Sequence, residues 1–258
     1  MDIERHVEAL EREGAALAGA AQKAGLDAAV PTCPEWTVRD LVRHTGYVHR
    51  WAASYVRDAR VAMLDDDEEE AAVGPLPDDV GLLPWFREGH AALVTALRAA
   101  PADLTCWQVL AAPSPLAFWA RRQAHETTIH RADAEAATGE ITGVPSDFAL
   151  DGIDELLLGF YARRGGRLRA DQPRRLMVQA TDAPGSQVAQ PATAWTVEIG
   201  PDGATPRRGP GSADCVLRGP ASDLYLALWN RRSTDDLRVE GDRSVLDLWR
   251  ERATVRWT

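Results

Sequence analysis

RRQAHETTIHRADAE, residues 121–135, decides how the first half of this chain is read. The stretch is alanine-rich and helical in pattern. At roughly 100° per residue, Arg122, Glu126, His130 and Asp133 fall along one stripe of that helix. A polar stripe of this kind needs a partner, and the sequence on either side supplies further helices to face it.

Upstream, residues 2–24 carry Ile3, Val7, Leu10, Leu17 and Ala21 at helical spacing, and Gly25 closes the stretch as a C-cap. In PEWTVRD, Thr37 caps a second helix and Asp40 sits in its first turn, so the helix is expected to run to about Asp58. DDDEEE (65–70) followed by GPLP (74–77) reads as a solvated loop, because consecutive carboxylates point in different directions. A third helix is expected from about Leu83 to Ala100, the opening motif lies on the fourth, and residues 146–164 form a fifth.

After RRGGR the period changes. LMVQATD (176–182), AWTVEIGPDG (194–203) and DCVLRG (214–219) read as half-buried strands. Two helical patterns, ASDLYLALWNRR and RSVLDLWRER, follow with a strand-like LRVEGD between them. The expected architecture is α+β: a helical bundle over residues 1–164 and a small α/β domain over 165–258.

Bulk properties narrow the function. The 258 residues, 45% hydrophobic and 26% charged, suit a folded protein of one large or two ordinary domains. The charged N-terminus lacks the apolar core of a secretory signal and no apolar run would span a bilayer, so a cytoplasmic protein with no membrane partner is expected. A net charge of -10 argues against nucleic acid as a partner. Lys23 is the only lysine, which disfavours Schiff-base chemistry. Cys33, Cys106 and Cys215 are too widely spaced for a CxxC knuckle and are expected to be reduced, small apolar side chains. Of the nine tryptophans, Trp36, Trp51 and Trp119 lie near the polar motifs, where some could wall a dry pocket; most are expected to be core or interdomain packing.

Glu126 and His130, at i and i+4, project from one helix face at the spacing with which two side chains grip one metal ion. The order is HExxxH rather than HExxH, which makes Glu126 a ligand and not a general base. A solvated or internally hydrogen-bonded pair would have the same spacing. A third ligand must come from another helix. His44 and His49 are the nearer candidates, about 140° apart around theirs, and His6 and His90 are more remote; periodicity does not choose between the first two.

PTCPEWTVRDLVRHTGYVHRWA (31–52) and AHETTIHRADAE (124–135) together resemble the mycothiol-dependent maleylpyruvate isomerase family, a branch of the DinB-like metal-binding four-helix bundles. The tail from CVLRGPASDLYLALWNRR to LRVEGDRSVLDLW is similar to that family's sterol-carrier-like C-terminal domain. The resemblance implies a metal triad of His49, Glu126 and His130 holding zinc or another divalent ion. Arg122 and Asp133, in phase on the same helix, are expected to support the ligands, Asp133 by orienting one or by pairing with an arginine, and surface pairing would use the same residues. It implies mycothiol as the thiol cosubstrate, and a small unsaturated or electrophilic acid as substrate. In the family's type reaction a thiolate adds to the cis double bond of maleylpyruvate, the new single bond rotates, and thiolate leaves to give the trans acid. Arg231, at the end of ALWNRR, is the cation expected to orient the carboxylates, although Asn230 stands where the family often has glycine and Arg232 follows directly. Transfer of the thiol onto another electrophile, or metal binding without turnover, would use the same motifs.

Overall fold

The computed structural model describes residues 1–163, 166–182 and 193–253, and divides into two compact units, Met1–Thr142 and Gly143–Thr258. The boundary expected at 164/165 falls on residues outside those described. The helix beginning at Ser146, expected to close the first unit, belongs to the second.

Four long helices build the first unit: α1 (Ile3–Ala24), α2 (Val38–Arg57), α4 (Asp79–Ala99) and α5 (Pro115–Ala136). Their ends follow local chemistry. Asp2 accepts from the backbone of Arg5, Thr37 and Asp40 form a reciprocal capping box, and Ser114 caps α5 with Pro115 in its first turn. α1 packs on α4 and α5, and α2 packs on the same two, so the helices close into a four-membered ring.

DDDEEE is helical, contrary to expectation. Asp65 caps a short α3 (Asp66–Val73) and forms a capping box with Glu68. Acidic residues crowd its first turn, where the free amides and the helix dipole favour negative charge. A charge run read as solvated was also a helix start.

α5 departs further from a single polar stripe, because nearly all of it from Leu116 to Ala134 is buried, polar residues included. Buried charge must be paired. Arg131 Nε donates to Glu13 Oε2 of α1 at 2.9 Å and its Nη1 to Glu135 at 2.6 Å, while Thr128 returns its hydroxyl to Ala124 C=O at 2.7 Å. The helix is the polar axis of the bundle. Trp119 and Tyr55 stack at 5.1 Å beside Trp51 and Trp107, so Trp51 and Trp119 are packing residues.

In the second unit α6 (Ser146–Asp154) runs on into a π-helical stretch, Glu155–Tyr161. A five-stranded sheet follows in the order β3-β2-β1-β4-β5, formed by β1 (Arg174–Ala180), β2 (Ala194–Gly200), β3 (Gly203–Arg208), β4 (Cys215–Gly219) and β5 (Arg238–Gly241). β1 and β4 are parallel and the other pairs antiparallel. Two helices, α7 (Ala221–Leu228) and α8 (Ser244–Arg252), flank β5 in sequence. β3 was not expected. It carries Pro206, which a strand tolerates only where its missing N–H is not needed, and β3 is the sheet edge. Among the described residues no helix is long and apolar enough to cross a membrane.

Candidate metal centre

Three side chains from two helices converge in the first unit. Glu126 and His130 lie one turn apart on α5, and His44 reaches them from α2; their potential ligand atoms all lie within 4.8 Å of one another. Glu126 Oε1 is 3.2 Å from His130 Nε2 and 3.6 Å from His44 Nε2. In a tetrahedral site with bonds of about 2.1 Å, ligand atoms stand about 3.4 Å apart, so this spacing suits one divalent ion. Two imidazoles and one carboxylate match zinc and leave a coordination position open, while nickel, iron or manganese would accept the same donors.

The atoms turned away from this point are held. Arg122 Nη2 donates to Glu126 Oε2 at 3.0 Å, leaving Oε1 to face the histidines. Asp133 Oδ2 lies 2.9 Å from His130 Nδ1, which fixes the ring with Nε2 inward. Arg122 and Asp133 thus hold the outward atoms of Glu126 and His130. Trp36 covers the site, its ring centroid 4.9 Å from that of His44 and 6.1 Å from that of His130. His44 is the candidate ligand nearest solvent, its side chain one-third exposed.

Charge is tightly coupled here. Burial works to raise the Glu126 carboxyl pKa, but hydrogen bonds from His130 and His44, with the charge of His130 and Arg122, hold it well below the usual carboxylate range. Burial likewise opposes the cationic form of His130, yet bonds to Asp133 and Glu126 raise its pKa to about 9. A carboxylate is present in full. A divalent ion would take the place of the imidazolium proton.

His49 is not part of this cluster, which corrects the expected triad. It is fully buried, five residues further round α2, and its Nε2 lies 2.8 Å from Thr127 Oγ1. Its ring packs against Phe86 and His90 at 5.4 Å each. Burial and the neighbouring His90 hold its pKa well below the ordinary value, so it stays neutral. Leu41, Thr45, His49, Ala52 and Val56 form a buried row on α2, whereas an open site needs a histidine at the edge of that row.

Two residues beside Asp133 were not singled out by the sequence. Thr32 Oγ1 donates to Asp133 Oδ1 at 2.5 Å, and the half-buried Cys33 places its thiol 3.6 Å from Asp133 Oδ2. Cys106 and Cys215 are buried, as expected of small apolar side chains.

The N-terminal unit matches the model of the "Mycothiol maleylpyruvate isomerase N-terminal domain" over residues 7–135, and residues 147–248 match the C-terminal domain of the same group. The chain belongs to the mycothiol-dependent maleylpyruvate isomerase family. A crystal structure of a mycothiol-dependent maleylpyruvate isomerase shares its fold, with a TM-score of 0.60, 15% identity and 93% of each chain covered. A histidine-to-alanine mutant of that name matches at a TM-score of 0.61 with 14% identity and the same coverage. No curated protein sequence matches the chain.

The residues after α7 close the helix. Asn230 adopts a left-handed conformation with φ 60°, its N–H donates to Ala227 C=O, and Arg231 N–H donates to Leu226 C=O. This is a Schellman cap in which asparagine does the work of glycine. Arg231 Nη1 donates to Trp229 C=O at 2.8 Å, and Arg232 pairs with Asp223.

Proposed function

We propose that the chain is an enzyme that activates a low-molecular-weight thiol at a divalent metal site formed by His44, Glu126 and His130. By family, the thiol is mycothiol. The observation that carries the reading is the convergence of those three donors at spacings that fit one ion, in the domain that defines the family. A divalent ion held there would supply Lewis acidity, lowering the pKa of an incoming thiol so that thiolate is available near neutral pH.

The chain's own residues set the conditions for that chemistry. Glu126 and His130 are buried and pre-aligned by Arg122 and Asp133, so little reorganisation is needed when donors close on an ion. Trp36 places an apolar wall beside His44, and the exposed edge of His44 is where a thiol can enter. The reaction proposed is cis–trans isomerisation of a maleyl-type acid. The thiolate carbon–sulfur bond forms at one alkene carbon, the negative charge moves onto the conjugated carbonyl, the single bond rotates, and elimination returns thiolate and the trans alkene.

Zinc-loaded protein, mycothiol and maleylpyruvate incubated together test this by mass spectrometry and ultraviolet absorbance of the product. The expected product has the substrate's mass, with mycothiol unconsumed. A product heavier by one thiol would assign thiol transfer instead, and no reaction with maleylpyruvate or with a panel of simple electrophiles would contradict an enzymatic role.

A further inference from the structure

The segment before α2 is a closed loop. Val30 N–H donates to Trp36 C=O at 3.0 Å, Cys33 N–H to Val30 C=O at 3.0 Å, and Trp36 N–H to Cys33 C=O at 2.8 Å, while Ala29 bridges Thr37. Val30 is fully buried and plugs the loop into the core between α1, α2 and α4. From this frame the loop meets both helices that carry the candidate ligands. Trp36 lies directly on His44 and His130, and Thr32 meets His130 through a carboxylate.

We propose that Thr32 is a positioning residue of the site: its hydroxyl, by holding Asp133 Oδ1, fixes the carboxylate that aims His130 Nε2 at the point shared with Glu126 and His44. The proposal rests on the metal reading above. Asp133 is fully buried and its two oxygens divide the labour, Oδ1 taking the Thr32 hydroxyl and Oδ2 facing His130 Nδ1 and the Cys33 thiol. A buried carboxylate deprived of one donor rotates toward the donors that remain. His130 Nδ1 and the Cys33 thiol lie on the Oδ2 side, so a rotation toward them would disturb the bond that orients His130. The Cys33 thiol is a weak donor at a long distance and cannot replace a hydroxyl at 2.5 Å. A threonine before a helix would ordinarily be read as a turn residue; its partner 101 positions away gives it this other role.

The test is zinc affinity, read by competition with a chromophoric chelator, in the full chain and three variants. Thr32→Val keeps the shape and loses the hydroxyl, and is expected to bind zinc about 10- to 100-fold more weakly, the usual cost of losing a ligand's hydrogen-bond support. Thr32→Ser restores the hydroxyl and is expected within about threefold of wild type, as is Cys33→Ala. A merely structural tie would lower the unfolding midpoint of the valine variant without moving zinc affinity in its folded state. Wild-type affinity in Thr32→Val, or equal loss in Thr32→Ser, overturns the proposal. Should the valine variant not fold, Thr32→Ala gives the same reading. Failure of the wild-type chain to bind zinc would instead overturn the metal reading itself, and this proposal with it.

Discussion

Two histidine pairs occupy one helical bundle and meet opposite fates. His44 and His130 stand with ring centroids 4.9 Å apart at the edge of the bundle, beside Glu126 and Asp133. His49 and His90 stand 5.4 Å apart inside it, facing the Thr127 hydroxyl and the Leu10 carbonyl. Carboxylates raise the pKa of His130 against its burial, whereas burial lowers those of His49 and His90. The adjacent α5 residues Glu126 and Thr127 serve the two pairs separately. Spacing along a helix gives a histidine its chance to be a ligand; the company of carboxylates and an open edge decides whether it becomes one.

The sharpest way to break this contrast is Glu126→Ala. With the shared carboxylate gone, zinc binding should fall by more than about 100-fold, beyond the cost of losing only a supporting residue, and metal analysis of the purified variant by mass spectrometry should find almost none. Stoichiometric zinc in that variant would show that the carboxylate is no ligand. The matching change at the inner pair is His49→Ala, expected to cost about 2–4 kcal/mol of stability, since it opens a cavity and strands the Thr127 hydroxyl. Urea unfolding of the metal-free protein measures it, and an unchanged midpoint would mean the inner layer carries little.

Titration should separate the pairs in the metal-free protein. The depressed pKa of His49 means that the unfolded chain takes up its proton first, so stability contributed there falls as pH drops through about 6.5. His130 runs the other way: its contribution is complete below about pH 6.5 and fades as pH rises through about 9. Urea midpoints between pH 5 and 10 should therefore show a shallower acid limb in His49→Gln, with His90 supplying the rest, and lose their alkaline limb in His130→Gln, an effect of at most about 3 kcal/mol on the alkaline side. Limbs untouched by either change would contradict the assignment. The smallest effect is expected of Thr127→Val, about 1 kcal/mol of stability with zinc affinity unmoved.

The same contrast marks what the sequence made legible. Helical periodicity, the Thr37 capping box and the Glu126–His130 spacing were all local, and each was visible. So was the change to strand patterning after residue 170, down to all but one strand. The choice between His44 and His49 was not local: both lie on α2, and only the packing of α2 against α4 and α5 turns one inward and leaves the other at the rim. The resemblance implied His49, whereas the packing of α2 brings His44 beside Glu126 and His130. Thr32 was hidden for the same reason, since its partner is remote in sequence. α3 and β3 were missed because their residues, an acidic run and a proline-bearing edge, satisfy local rules for loops and for strand ends at once.

One paired measurement addresses the central claim: zinc content and affinity of His44→Gln beside His49→Gln, each checked for native helicity. The first variant should lose zinc while the second retains a full equivalent at near wild-type affinity. Zinc retained by His44→Gln and lost from His49→Gln would contradict the claim.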